Sequence, residues 1–199
     1  MPKVKVAMTP KIPADQRMMH FNALNDETER LSELVESMLT LANLDSGTLQ
    51  IQCENGDLNT QVSDMVTHFT SEAETHGITI ALKPPADPDP LPASFDAVQL
   101  NKAIGAIIDN AIQYTSEGGY IEVQTARETR PDGDFATIKI RDTGMGIAPD
   151  ALPRVFDRFF RSERARDSSI RGVGLGLAIA YEIMTRHNGK ITVESFLNA

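Results

Sequence analysis

Two alternating runs decide the fold class: "YIEVQTARE" (120–128) and "DFATIKIRD" (134–142), joined by "TRPDG" (129–133). Period-two apolar spacing on both sides of a Pro-Asp-Gly turn predicts an antiparallel hairpin. Strands joined this directly do not belong to a sheet built by strict β-α-β crossovers. Helical patterns flank them. Upstream, "SFDAVQLNKAIGAIIDNAIQYT" (94–115) puts Leu100, Ile104, Ile107, Ile108 and Ala111 on one apolar side. Downstream, residues 175–187 read as a helix stopped by Asn188-Gly189, and "KITVES" as a last strand. Between 48 and 94, "TLQIQCEN" reads as a strand, and "LNTQVSDMVTHFTSEAETHG" (58–77) as a helix capped by Gly77. "ITIALK" (78–83) reads as a strand, and "PPADPDPLPAS" (84–94), with five prolines, as a loop. The order predicts an α+β fold, not a doubly wound sheet.

A long helical pattern precedes this region, from about Pro13 to Leu44. Leu24, Leu31, Leu34, Met38 and Leu41 fall on one heptad seam, widened by Val35 and Ala42 and interrupted by Glu27. Asn22, Glu29, Arg30, Glu33 and Glu36 occupy the opposite face, and Gly47 in "LDSGTL" serves as the stop. A lone helix does not bury such a stripe, so it needs a partner helix or a second subunit. An ordinary core-facing helix and a dimerisation hairpin both remain open; the heptad spacing leans to the hairpin.

The chain of 199 residues is long enough for a substantial core. Its net charge of −9 argues against a nucleic-acid partner, which needs a basic face. Cys53 is the single cysteine, so no intramolecular disulfide forms, as in a reducing compartment. The opening "MPKVKVAMTPKIP" lacks the apolar segment of a signal peptide, and no apolar run reaches membrane-spanning length. A cytoplasmic location is expected, with any membrane anchor outside this chain.

"RGVGLGLAIA" (171–180) carries Gly172, Gly174 and Gly176 ahead of a helix. It is not a dinucleotide fingerprint: the third glycine of that pattern would fall at Leu177, and the polar "RSERARDSS" precedes it instead of a strand. No Gly-Lys-Ser/Thr makes it a P-loop. Successive N–H groups at a helix N-terminus suit an anion; glycines that merely let a helix pack closely are the equal alternative.

Three companions bear on that choice. "IIDNAIQYT" sets Asn110 and Tyr114 four apart on one helix face, within an apolar run. A buried Asn needs a partner, and its carbonyl oxygen is a hard ligand suited to Mg²⁺. "RDTGMGI" places Asp142 at a strand end, where its carboxylate is able to accept from an exocyclic amine. "LPRVFDRFFRSERAR" joins Phe156, Phe159 and Phe160 to Arg158, Arg161, Arg164 and Arg166. The plain readings are that at least one phenylalanine is core, that the arginines form a solvated face paired with Glu163 and Asp167, and that Tyr114 only packs. Asn110 and Asp142 have the poorest plain explanations.

In this order the segments resemble the sensor histidine kinases, within the ATPase group that also holds the heat-shock chaperone, gyrase and mismatch-repair ATPases. "IIDNAIQYT" resembles the family's N box, "DTGMGI" its D box, "FDRFF" its F box and "GVGLGLAIA" its second G box. "ETERLSELVESMLTLANLDSG" resembles the second helix of its dimerisation hairpin. The resemblance implies a two-layer α/β sandwich, three helices over a mixed sheet, preceded by the coiled-coil-like helix. It divides the chain into part of a dimerisation and phosphotransfer region (1–46) and an ATP-binding catalytic domain (47–199). It implies ATP and Mg²⁺ as cofactors, with Asn110 as metal ligand and Tyr114 beside the nucleotide. Asp142 would hold the adenine amine, with Gly144, Gly146 and Ile147 shaping the pocket. Residues from about Ala148 to Arg171, including Phe159, would form the lid, and Arg161 would reach the phosphates. Gly172, Val173, Gly174, Leu175, Gly176 and Leu177 would form the phosphate cradle. The implied partners are a response-regulator receiver domain and a second copy of the chain through the helix at 14–45.

The chain departs from the family in three places. None of His20, His68, His76 and His187 has the surroundings of a phosphoacceptor, and too few residues precede the hairpin helix for a full first helix. Ala106 stands where the family usually has an Asn or another polar residue, and where the related ATPases put a general-base glutamate; Gln113 takes the place of the polar or basic residue often found three after Asn110. "FLNA" comes where a glycine turn and closing strand are expected, which would expose a sheet edge. Two functions follow from these facts: γ-phosphoryl transfer to a histidine for relay to an aspartate, or a degenerate nucleotide-sensing or scaffolding module.

Overall fold

The computed structural model describes residues 14–84, 90–131, 133–163 and 172–197, with several side chains between 14 and 33 also outside it. The chain opens with α1 (Ala14–Asp45), a single helix of 32 residues. It stops where the N–H groups of Ser46 and Gly47 turn back to the carbonyls of Ala42 and Leu44, each at 3.0 Å. Then follow β1 (Glu54–Asp57), α2 (Leu58–Thr75), β2 (Thr79–Leu82), β3 (Pro92–Phe95) and α3 (Ala97–Tyr114). The chain continues through β4 (Tyr120–Arg130), β5 (Gly133–Asp142), a 3-10 turn (Leu152–Arg154) and α4 (Gly176–Arg186).

The expected hairpin is present, in register from Ile121 opposite Asp142 to Arg130 opposite Gly133. β2 joins β4 on its other side in parallel, so the sheet β2-β4-β5 is mixed. β1 and β3 form a separate antiparallel pair.

α3 is buried on two sides. One side, with Leu100, Ile104, Ile108 and Ile112, packs with Val62, Met65 and Phe69 of α2 and Ile121 and Val123 of the sheet. The other, with Ala103 and Ile107, meets Leu175 just ahead of α4, Ile179 and Ile183 of α4, and Leu41 and Leu44 from the end of α1. Leu44, Ile108, Ile121 and Ile183 are fully buried; each such side chain stabilises the fold by roughly 1.5–3 kcal/mol. α2 and α3 thus pack on the sheet, and α4 packs against α3, with its Met184 reaching the core shared with the sheet.

Aspartates start the inner helices. Asp57 accepts from the Asn59 N–H at 3.2 Å at the head of α2, and Asp96 accepts from the Gln99 N–H at 3.0 Å at the head of α3. The Asp96 N–H in turn donates to His187 Nε2 at 3.0 Å, which ties the start of α3 to the end of α4.

Three expectations are corrected. "TLQIQCEN" is not a strand: β1 begins only at Glu54, because the Gln52 N–H is taken by the Asp96 carboxylate and the Leu49 N–H by the Asn43 carbonyl, so no ladder reaches them. Pro92–Phe95, expected to be the end of the proline-rich loop (84–94) and the start of the helix (94–115), is β3; Pro92 is tolerated as the first residue of a strand in a two-stranded sheet. "KITVES" forms no strand. Its Ser195 hydroxyl instead accepts from the Ile147 N–H at 2.9 Å, which holds the segment at the loop after β5. Residues 85–89 of the proline loop lie outside the described residues.

The heptad seam of α1 is seated only at its end. Leu24, Leu31, Val35 and Met38 are 50–68% exposed, Leu34 is half-buried, and Leu41 is buried.

Candidate functional site

The glycine stretch lies along one face of α3. A Cβ on Gly176 would stand 3.5 Å from the Ala106 methyl, and one on Gly172 would stand 3.4 Å from Gln113 Oε1. Positions 106, 110 and 113 share that helix face. Gly176 and Gly172 therefore bracket the position of Asn110, which is half-buried. Val173 and Leu175 anchor the stretch by turning into the second core, where Leu175 is buried. Leu177, in the first turn of α4, is half-buried.

Gly174 needs to be glycine. Its φ is +77°, and a Cβ there would come within 2.5 Å of the Phe160 carbonyl oxygen. Its own carbonyl accepts from the Phe159 N–H at 2.8 Å. The glycine stretch is thus bonded to "FDRFF" through the backbone. α4 then begins without any side-chain cap at Leu175, which leaves its first-turn N–H groups to other acceptors.

The loop after β5 reaches the same helix at its C-terminal end. Asp142 is exposed, and its Oδ1 accepts from the Gly144 N–H at 2.9 Å. The Met145 N–H donates to the Tyr114 carbonyl at 3.2 Å. Gly144 is buried there, and a Cβ would meet that Tyr114 oxygen at 2.5 Å. Gly146 and Ile147 continue the loop, half-buried, against the Ser195–Leu197 segment. The Tyr114 side chain is half-buried. Asn110, Tyr114, the Asp142 loop and the glycine stretch thus meet on the C-terminal half of α3.

The aromatic and basic segment differs from its plain reading. No phenylalanine in it is core: Phe156 and Phe160 are half-buried, and Phe159 is 55% exposed with a φ of +61°. Phe156 faces Tyr181, with ring centroids 5.2 Å apart, and the Arg154 guanidinium lies 4.5 Å from the centre of the Phe160 ring. Arg158 pairs with Asp45 at the end of α1, and Arg161 is half-buried. Arg164, Arg166, Asp167 and Arg171 lie outside the described residues, as does the matching part of the lid.

Among the described residues no three His, Cys, Asp or Glu side chains converge to hold a metal ion. Among the described residues no helix is long and apolar enough to cross a membrane. His20 is exposed on α1, His68 lies edge-on to Phe69, His76 ends α2, and His187 sits at the opposite end of α3 from Tyr114.

Residues 95–198 match the family described as histidine kinase-, DNA gyrase B- and HSP90-like ATPase. The chain belongs to the histidine-kinase ATPase family. The match begins at Phe95, just before α3, and takes in every element of the site. The region ahead of it is shared with sensor kinases as well. The chain is 35% identical over 185 residues to the sensor histidine kinase RppB of Synechocystis, covering 93% of this chain and 39% of that one. Full-length ShkA, solved in complex with AMPPNP, superposes with a TM-score of 0.70 at 25% identity, over 93% of this chain and 38% of ShkA. Histidine kinase ThkA, in complex with response regulator protein TrrA, shares the fold with a TM-score of 0.68 at 17% identity, over 89% of this chain and 47% of that one. The chain spans about two fifths of the length of the curated relatives that it matches.

Residues 95–198 are accordingly a domain of the histidine kinase-, DNA gyrase B- and HSP90-like ATPase family, within a chain similar to sensor histidine kinases over most of its length. Two residues at the edges of the site carried no signal in the sequence. Asp45 is 113 positions from its partner Arg158, and Ser195 is 48 from Ile147. No local pattern spans such separations.

Proposed function

We propose that this chain binds Mg·ATP along the 106–114 face of α3 and passes the γ-phosphoryl group to a histidine. The observation that carries the reading is the convergence there of Asn110, Asp142 and the glycine stretch. Asp142 accepts from the adenine amine, and Gly144, Gly146 and Ile147 form the wall beside it. The uncapped start of α4, with Gly172 and Gly174, offers N–H groups to the phosphates. Asn110 supplies a carbonyl oxygen to Mg²⁺, which when bound neutralises phosphate charge. Arg161 lies within the lid segment of about 148–171 and would add a positive charge. In the transfer, the γ-phosphorus to bridging-oxygen bond breaks, a phosphorus–nitrogen bond forms on the imidazole, and ADP leaves.

Residues 1–46 belong to a dimerisation and phosphotransfer region, and 47–199 form the catalytic domain. The exposed seam of α1 supports a homodimer. The ThkA–TrrA complex supports a receiver domain as the partner that takes the phosphoryl group onward. Because none of the four histidines has the surroundings of an acceptor, the acceptor is supplied by another segment or chain.

A second reading is favoured by Ala106. An apolar methyl packed near Gly176 provides no polar help to the metal or to a proton, so a nucleotide-sensing module without transfer has specific support. Incubation with γ-labelled ATP and a separately supplied acceptor hairpin separates the two. Label on the hairpin histidine is expected from the first reading. ATP binding without transfer selects the second, and no binding of ATP rejects both.

A further inference from the structure

The end of α1 is fixed to the catalytic domain at three points. Leu44 is fully buried against Leu175, Ile179 and Ile183. Its carbonyl accepts from Arg186 Nη2. Asp45, the last residue of the helix, meets Arg158 in a two-pronged pair: Nη1 to Oδ2 at 2.6 Å and Nη2 to Oδ1 at 2.5 Å. Two parallel N–H···O bonds of this kind fix orientation as well as distance. Both cations also lie where a helix presents its negative end.

Arg158 immediately precedes Phe159, a non-glycine residue with a φ of +61°. Such a backbone persists where its surroundings hold it. The Phe159 side chain is largely exposed, so packing does not hold it. Two tethers flank it instead. One is the Arg158 pair to α1, and the other is the Phe159 N–H bond to the Gly174 carbonyl. A continuous path therefore runs from Asp45 through Arg158 and Phe159 to Gly174.

We propose that Asp45 and Arg158 are positioning residues, a latch through which the end of α1 sets the geometry of the glycine stretch. The functional consequence rests on the reading of that stretch as a phosphate cradle. The Arg158 hydrogen bond holds the Asp45 carboxyl below the ordinary carboxylate range, so the pair stays charged at neutral pH. Both side chains are about half exposed, at 51% and 43%. Pairs of that kind contribute little static stability, which suits a contact made and broken as α1 shifts. Coupling is reciprocal: if the position of α1 alters nucleotide affinity, bound nucleotide biases α1 equally.

The test compares Asp45→Arg, Arg158→Asp and the double exchange in the whole chain. Affinity for Mg·AMPPNP is read by calorimetry, and protection of the Phe159 amide by hydrogen exchange. Each single reversal is expected to weaken binding about threefold to fivefold and to speed exchange at Phe159, with the double exchange recovering most of both. A merely local surface pair would move neither readout. Unchanged exchange in the single variants, or no recovery in the double exchange, overturns the latch. If the unaltered chain binds no AMPPNP, the cradle reading fails on its own account, and exchange at Phe159 still decides the coupling.

Discussion

Gly176 offers a way to divide the two physical readings of the glycine stretch. A methyl there would sit at ordinary contact distance from Ala106, 3.5 Å away. Gly176→Ala is therefore expected to leave stability unchanged or raise it by roughly 0.4–1 kcal/mol, read by urea unfolding. Its affinity for AMPPNP falls only if the backbone at that point approaches phosphate. Gly174→Ala differs, because left-handed backbone and a 2.5 Å approach to the Phe160 carbonyl coincide there; it is expected to cost roughly 1–2 kcal/mol from backbone conformation alone. At the other end of the site, Asp142→Asn retains an oxygen for the Gly144 N–H but removes the charge. It is expected to weaken adenine-nucleotide binding about threefold to tenfold with little change in unfolding. Unchanged affinity in calorimetry would remove Asp142 from the nucleotide. The positions of Asn110 on α3 and of Asp142 at the end of β5 were legible in the sequence, because a polar residue in an apolar helix, and a carboxylate at a strand end before two glycines, are local anomalies. The strain at Phe159 and the partner of Arg158 were not legible, since both arise from contacts with distant parts of the chain.

At the scale of elements, what could be read in the sequence depended on what holds each element in place. The β4–β5 hairpin was readable because its own alternation and turn specify its register. β1 and β3 were not, because contacts between residues far apart in the chain set their limits. Asp57 bridges the pair by accepting from the Leu91 N–H at 2.8 Å, and Asp96 takes the Gln52 N–H that an earlier strand would use. Asp96 is therefore the residue to test. Burial pushes its carboxyl up, but the N–H groups of Gln52, Gln99 and Val98 outweigh that and hold it below the ordinary value of 3.8. A carboxyl depressed in the folded state adds stability above its ordinary value and loses it as pH falls below that value. Asp96→Ala is expected to lose about 1 kcal/mol at neutral pH. In urea titrations from about pH 6 to about pH 3, the loss relative to the unaltered chain should shrink toward the acid end. A deficit that stays constant with pH would mean that the aspartate acts through shape and not through charge.

For the molecule as a whole, the decisive contrast lies within α1. Its end is bound into the core at Leu41 and Leu44, while the same seam further up leaves Leu24, Leu31, Val35 and Met38 at least half exposed. One continuous helix thus serves two surroundings, and the heptad spacing belongs to the exposed part. An isolated helix that presents such a stripe to water gains little from it; a matching helix in a second copy would bury it by knobs-into-holes packing. The net charge of −9 opposes association in general, so pairing of two copies would have to rest on this stripe and not on charge attraction. Leu31→Glu combined with Met38→Glu puts like charges into the seam without touching Leu41, Leu44 or the site. Light scattering is expected to give twice the mass of one chain for the unaltered protein and a single mass for the variant, with AMPPNP affinity changed less than twofold. If the variant keeps the doubled mass, the copies meet through another surface. If the unaltered chain is already single, α1 needs a segment beyond these residues to cover its stripe.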